Sequence, residues 1–111
     1  MKKGEIWLVE LPEGKGHEQK GLRPALVVGG ANGITTAIPL TKNVERLKFS
    51  HTLLIEPSKD NGLTEASVAL VFQISSLDET RFKKQLGWIP KEQRNAIDEL
   101  LLSLLEISSS N

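Results

Sequence analysis

The sequence predicts a mainly β fold, a small and strongly bent β-barrel closed by one C-terminal helix. Three observations carry that expectation. Short apolar, β-rich runs separated by Gly, Pro and Asn punctuation occupy the first two-thirds of the chain. The apolar period then changes to three and four residues near the C-terminus. Finally, 111 residues support one domain over residues 1–111 with a thin core, and leave little room for a second.

Each element has its own justification. Ile6-Trp7-Leu8-Val9-Glu10-Leu11 is a short β-rich run stopped by Pro12, and a polar, glycine-containing loop runs from Glu13 to Leu22. Pro24-Ala25-Leu26-Val27-Val28 is nearly all apolar, which predicts a strand buried on both faces. Gly29 to Gly33 reads as a turn, and Ile34 to Leu40 as the third strand. Pro39 cannot donate to a ladder, so it belongs at a bulge or a strand end. Thr41 to Ser50 is charged and mixed, hence a loop. His51 to Glu56 and Glu65 to Gln73 read as strands four and five, separated by the turn-rich Pro57 to Gly62. Leu77 to Phe82 suggests a helical turn, and Lys84 to Ile89 a last strand, so the barrel spans about residues 4–89. Ile97, Leu100, Leu101, Leu104 and Leu105 form one apolar helical face. With Pro90 and Glu92 at its start, that helix is expected over about residues 91–106.

Composition removes several function classes. Cysteine is absent, so a disulfide framework, a thiolate nucleophile and a zinc–thiolate site are excluded. The two histidines, His17 and His51, lie in separate segments without a ligand partner at helical or hairpin spacing, and no metal or other cofactor is expected. Gly14-Lys15-Gly16 lacks the ending of a phosphate-binding loop, and no nucleophile-elbow sequence is present. No apolar run approaches the roughly 20 residues of a spanning helix, and the N-terminal apolar run is too short for a signal core, so a cytoplasmic protein with no membrane partner is expected.

The unusual segment is Gly16-His17-Glu18-Gln19-Lys20-Gly21-Leu22-Arg23-Pro24. It places an imidazole, a carboxylate, an amide and two cations between glycines. Pro24 pushes the backbone of Arg23 to an extended conformation, which sets where the guanidinium leaves the chain at the start of a buried strand. A planar, permanently charged fork on a rigid base suits a phosphate. The residues alone leave open whether Arg23 is that clamp or one half of a surface ion pair.

The blocks Gly4-Glu5-Ile6-Trp7-Leu8-Val9 and Gly16 to Val28 resemble the opening of the MazF/PemK toxin family, G-[DE]-[IV]-x-x-[VA] followed by G-[SH]-E-Q-x-G-x-R-P-[AV]-[LV]-[VI]. Pro39-Leu40-Thr41 is similar to its second block, and Ser67 to Asp78 to its third. The resemblance implies an SH3-like barrel with a terminal helix, a homodimer, and the toxin of a type II toxin–antitoxin pair. It further implies a metal-independent, sequence-specific endoribonuclease of single-stranded RNA, held in check by a cognate antitoxin. Cleavage of that kind uses the substrate's own 2′-OH as nucleophile and leaves 2′,3′-cyclic phosphate and 5′-OH ends. The protein need supply only proton transfer and charge stabilisation.

Carried onto this chain, the resemblance makes Arg23 and Thr41 catalytic residues, with His17 as an auxiliary acid or base. Glu18, Gln19, Lys20, Lys42, Phe72 and Gln73 become RNA contacts. Two positions depart from the pattern: Phe72 stands where an acidic or amide residue is usual, and Ser75 where Arg or Lys is usual. Phe72 can stack on a base, or fill core or a dimer interface. His51 opens an apolar strand far from the first block and reads as structural or solvent-facing. The competing functions are a same-fold toxin that binds a protein such as DNA gyrase, and a catalytically weakened barrel that only binds RNA or antitoxin.

The formal charge is +0, but it is unevenly spread. Residues 1–48 hold 8 Lys+Arg and 5 Asp+Glu, and the remainder 6 and 9, so the part carrying the candidate site is +3 and the rest −3. A local basic groove is compatible with overall neutrality.

Overall fold

The computed structural model describes residues 1–11 and 21–108. Among the described residues, seven strands and one α-helix follow in the order β1 (Glu5–Glu10), β2 (Leu22–Ala31), β3 (Ile34–Thr41), β4 (Thr52–Ile55), β5 (Ser67–Leu70), β6 (Ser75–Asp78), β7 (Phe82–Trp88) and α1 (Lys91–Leu104). One sheet runs β4-β5-β3-β2-β1-β7, with β6 also pairing β3, and every pairing is antiparallel.

The apolar run of β2 is buried on both faces, as its lack of alternation predicts: Ala25, Leu26 and Val27 are each 1% exposed. Leu26 points into the main core with Ile6, Ile38, Leu40, Ile55, Val71 and Ile97. Ala25 and Val27 point the other way, to Val9, Ala37, Leu77 and Phe82. Sheet bending makes two cores possible. Register shifts in the β1–β7 ladder and between Val27 and Gly29 in the β2–β3 ladder mark where the strands kink. The β2–β3 hairpin turns on Asn32 (φ 57°) and Gly33 (φ 79°), both in the left-handed region that a two-residue Asn-Gly turn requires.

Pro39 occupies the place where its missing N–H does least harm. On one edge of β3, residues 34–37 pair with β6 and residues 40–41 with β5, so Pro39 falls in the gap where the strand changes partners. Closure comes from the turn after β4. The Trp88 N–H donates to the Asp60 carbonyl at 2.9 Å, and a side chain at Gly87 would strike the backbone of Asp60 and Asn61. The far edge of the sheet is thereby tied to the turn that follows β4.

Several boundaries differ from expectation. The strand expected over Glu65 to Gln73 ends at Leu70 and gives way to a 3-10 turn, Val71–Gln73. Ser75 to Asp78 is a strand, and the expected helical turn shortens to Glu79–Arg81. The charged Thr41–Ser50 segment contains a 3-10 turn, Val44–Lys48, started by Asn43, whose side chain accepts from the Glu45 N–H at 3.1 Å. Leu105 does not share the apolar face of α1. The helix stops at Leu104, Glu106 turns left-handed (φ 55°), and Leu105 is exposed.

A candidate RNA-cleaving groove

The ends of β2 and β3 build the site. Arg23 lies on β2 with its backbone paired to Val9 of β1, next to Pro24, which pairs with Leu8. Thr41 is the last residue of β3 and pairs with Val68 of β5. Ala25 pairs with Pro39, two residues in from Arg23 on β2 and from Thr41 on β3, so both residues stand at the same open end of the hairpin. Both residues line one open groove of about 870 Å³.

The rest of the lining comes from β1, the segment after β3, and the turn before β5. Leu8, Leu22 and Leu40 supply apolar wall; Lys42, Asn43, Arg46, Thr64, Glu65 and Ser67 supply polar groups. Thr41 Oγ1 accepts from the Asn43 N–H at 3.2 Å, which leaves the hydroxyl proton available to a ligand. Lys42 Nζ meets Glu65 Oε2 at 3.1 Å, with both side chains more than half exposed. Arg23, Lys42 and Arg46 set three cations against the single carboxylate of Glu65 among the described lining residues. The groove is therefore cationic in a protein of no net charge.

The expected site residues do not all gather here. Arg23, Thr41 and Lys42 line the groove. Phe72 and Gln73 are the exposed residues of the Val71–Gln73 turn, whose Val71 is buried, and are not among the lining residues. His17, Glu18, Gln19 and Lys20 lie outside the described residues; in the sequence they directly precede Gly21 and the groove residues Leu22 and Arg23. His51 is held structurally, with Nδ1 3.0 Å from Ser50 Oγ and Nε2 3.0 Å from Ser103 Oγ of α1. Sequence reasoning missed Asn43, Arg46 and Glu65. The Asn43-Val-Glu45 pattern was a readable turn-start signal, whereas Arg46 looked like any cation of a solvated loop.

No helix among the described residues is long and apolar enough to cross a membrane. The family described as PemK-like, MazF-like toxin of type II toxin–antitoxin system matches residues 2–105. Endoribonuclease MazF of Staphylococcus saprophyticus is 32% identical over 107 residues, covering 88% of each chain. The crystal structure of MazF from Deinococcus radiodurans (Form-I) is similar at TM-score 0.71 and 30% identity, over 94% of both chains. A MazE–MazF crystal structure from the same organism (Form-II) is similar at TM-score 0.69 and 31% identity, over 95% of this chain and 94% of that one. With fold, core and groove in agreement and the family match spanning nearly its whole length, this chain belongs to the PemK/MazF toxin family of type II toxin–antitoxin systems.

Proposed function

We propose that the protein is a cytoplasmic toxin that cuts single-stranded RNA in the Arg23–Thr41 groove. The observation that carries the site assignment is the shared groove: residues from two different blocks of the sequence come to one end of the β2–β3 hairpin and line the same cationic groove. The relatives named as endoribonucleases support the reaction class.

In the proposed step the 2′-oxygen attacks the adjacent phosphorus while the P–O5′ bond breaks. The 2′-OH proton passes to a base and the 5′-oxygen receives one, leaving a 2′,3′-cyclic phosphate and a 5′-OH. Arg23 holds the non-bridging oxygens as charge builds on them, which a two-pronged guanidinium does better than a point charge. The Thr41 hydroxyl, its acceptor side occupied by the Asn43 N–H, donates to the same phosphate. His17, four residues before Gly21 in the sequence, is the proton carrier, since an imidazole can both take and give a proton near neutral pH. Lys42 and Arg46 draw in the flanking phosphates, and Lys42 exchanges Glu65 for one of them. Gln19, Glu18 and Lys20 contact the RNA bases. A second copy of the chain completes the toxin as a homodimer, and an antitoxin segment lies across the groove and competes with RNA; the MazE–MazF crystal structure of a relative supports an antitoxin as partner.

The test is incubation of the purified protein with a long single-stranded RNA in EDTA. Cuts at a restricted sequence with cyclic phosphate ends are expected, and Arg23→Lys should lower kcat by about 10²–10³. Intact RNA from folded protein overturns the reading. Retained cutting by Arg23→Ala overturns the site.

A further inference from the structure

Beside the groove stands an aromatic pair that the cleavage step does not use. Phe49 and Phe72 are 40% and 39% exposed, in a chain with only 5% aromatic residues. Their rings meet edge to face, with centroids 5.9 Å apart and planes at 64°. Arg46 Cζ lies 5.8 Å and Lys48 Nζ 5.5 Å from the Phe49 centroid. Arg46 also lines the groove, so patch and groove are one continuous surface.

The rings are held in place by the backbone around them. The Phe49 N–H donates to the Arg46 carbonyl at 3.0 Å, and the Thr52 hydroxyl donates to the Phe49 carbonyl at 2.9 Å. The Phe72 N–H donates to the His51 carbonyl at 3.3 Å. Exposed single apolar residues are ordinary, but two touching rings, with two cations over Phe49 and a cationic groove alongside, have the chemistry of an unpaired nucleotide's partner: π-faces for the base and cations for its phosphate.

We propose that Phe49 and Phe72 form a base-stacking platform for a nucleotide of the RNA outside the cleaved step, with Arg46 and Lys48 holding that nucleotide's phosphate. This rests on the nuclease reading and assigns it a specificity subsite. Phe72 thereby trades the acidic or amide chemistry usual at its position for stacking, which tolerates any base and selects by stacking strength.

The experiment compares the parent with Phe49→Leu and Phe72→Leu, which keep apolar bulk but lose the aromatic face. Two RNAs are used, one spanning only the cut site and one extended by several unpaired nucleotides on each side, each also made with a 2′-deoxy cut site for binding. On the extended RNA the variants should raise KM and Kd roughly 5- to 100-fold with kcat unchanged, and lose preference among flanking bases. On the short RNA they should match the parent. Equal effects on both RNAs, or none, overturn the platform. So does dissociation of a parent dimer on sedimentation with unchanged binding per protomer, since the rings would then face a second copy. If the parent binds but cuts neither RNA, the nuclease reading fails, while the 2′-deoxy binding comparison still decides the platform.

Discussion

Asn61→Ala should cost about 3 kcal/mol of stability and loosen one wall of the groove. Asn61 is 2% exposed, and its side chain makes three hydrogen bonds to backbone. Its Oδ1 accepts from Ser58 N–H at 3.0 Å and from Leu63 N–H at 2.9 Å, while Nδ2 donates to the Glu56 carbonyl at 2.8 Å. The Leu63 amide is buried, so losing its partner costs about 1–3 kcal/mol. The other two backbone groups are only partly buried and can rehydrate, at about 0.5–1 kcal/mol each. The same turn gives the Asp60 carbonyl to Trp88 and carries Gly62, Leu63, Thr64 and Glu65 into the groove lining. Urea denaturation at neutral pH measures the loss directly, and the melting temperature should fall by roughly 10 °C. Asn61→Asp sharpens the test. It keeps both acceptor contacts but sets a carboxylate against the Glu56 carbonyl. The introduced group then takes up a proton in the fold at higher pH than in the unfolded chain, so the variant should regain stability relative to the parent as pH falls toward about 4. An alanine variant within about 0.5 kcal/mol of the parent, or an aspartate variant whose deficit ignores pH, would show that this turn does not depend on Asn61.

Gly62→Ala should cost at least about 2 kcal/mol in a thermal or urea melt, since Gly62 has φ +71° and an added Cβ strikes the Leu86 backbone carbonyl. Gly33→Ala, at φ +79° but with open space around it, should cost only about 1 kcal/mol; equal losses would disprove the closure contact. Glu65→Gln removes the carboxylate that faces Lys42 across an exposed pair, so stability should change by under about 0.5 kcal/mol. RNA affinity should meanwhile rise several-fold at low salt and converge with the parent at high salt; a fall in affinity would mean that Glu65 contacts the RNA itself. Asp78 is held below its ordinary pKa by the Thr80 backbone N–H and then by the Thr80 hydroxyl at 2.7 Å. A depressed carboxyl stabilises above its unfolded pKa and loses that contribution as pH falls through its folded value. Thr80→Ala should therefore lower the urea midpoint at pH 6 and match the parent near pH 2; a deficit of equal size at both would assign the loss to packing.

Family, fold class and the two principal groove residues were legible in the chain because each rests on local chemistry. Arg23 is fixed by the proline that follows it, Thr41 by the end of an apolar strand, and the two-sided burial of Ala25 to Val27 by an unbroken apolar run. Local pattern could not show that Arg23 and Thr41 line one groove. That depends on the β2–β3 register, which the Asn32-Gly33 turn sets from a distance along the strands. Nor could it show that Arg46 serves both the groove and Phe49, because a cation in a polar loop carries no sign of what folds against it.

Phe72 shows the same division. Reading Glu65 to Gln73 as one strand offered two faces and no way to choose between them. The strand instead ends at Leu70, and the turn beyond it places Phe72 on the surface beside Phe49. Asn61 was visible only as a turn residue, yet it is the buried polar group that seats the closing turn against β7. The sequence by itself determined most of the strands, the terminal helix and the guanidinium of Arg23 on a fixed backbone, since period and side-chain type are written in order along the chain. Only the tertiary structure decided which residues share a surface, because partner choice, register and closure are set by contacts between residues far apart in the chain.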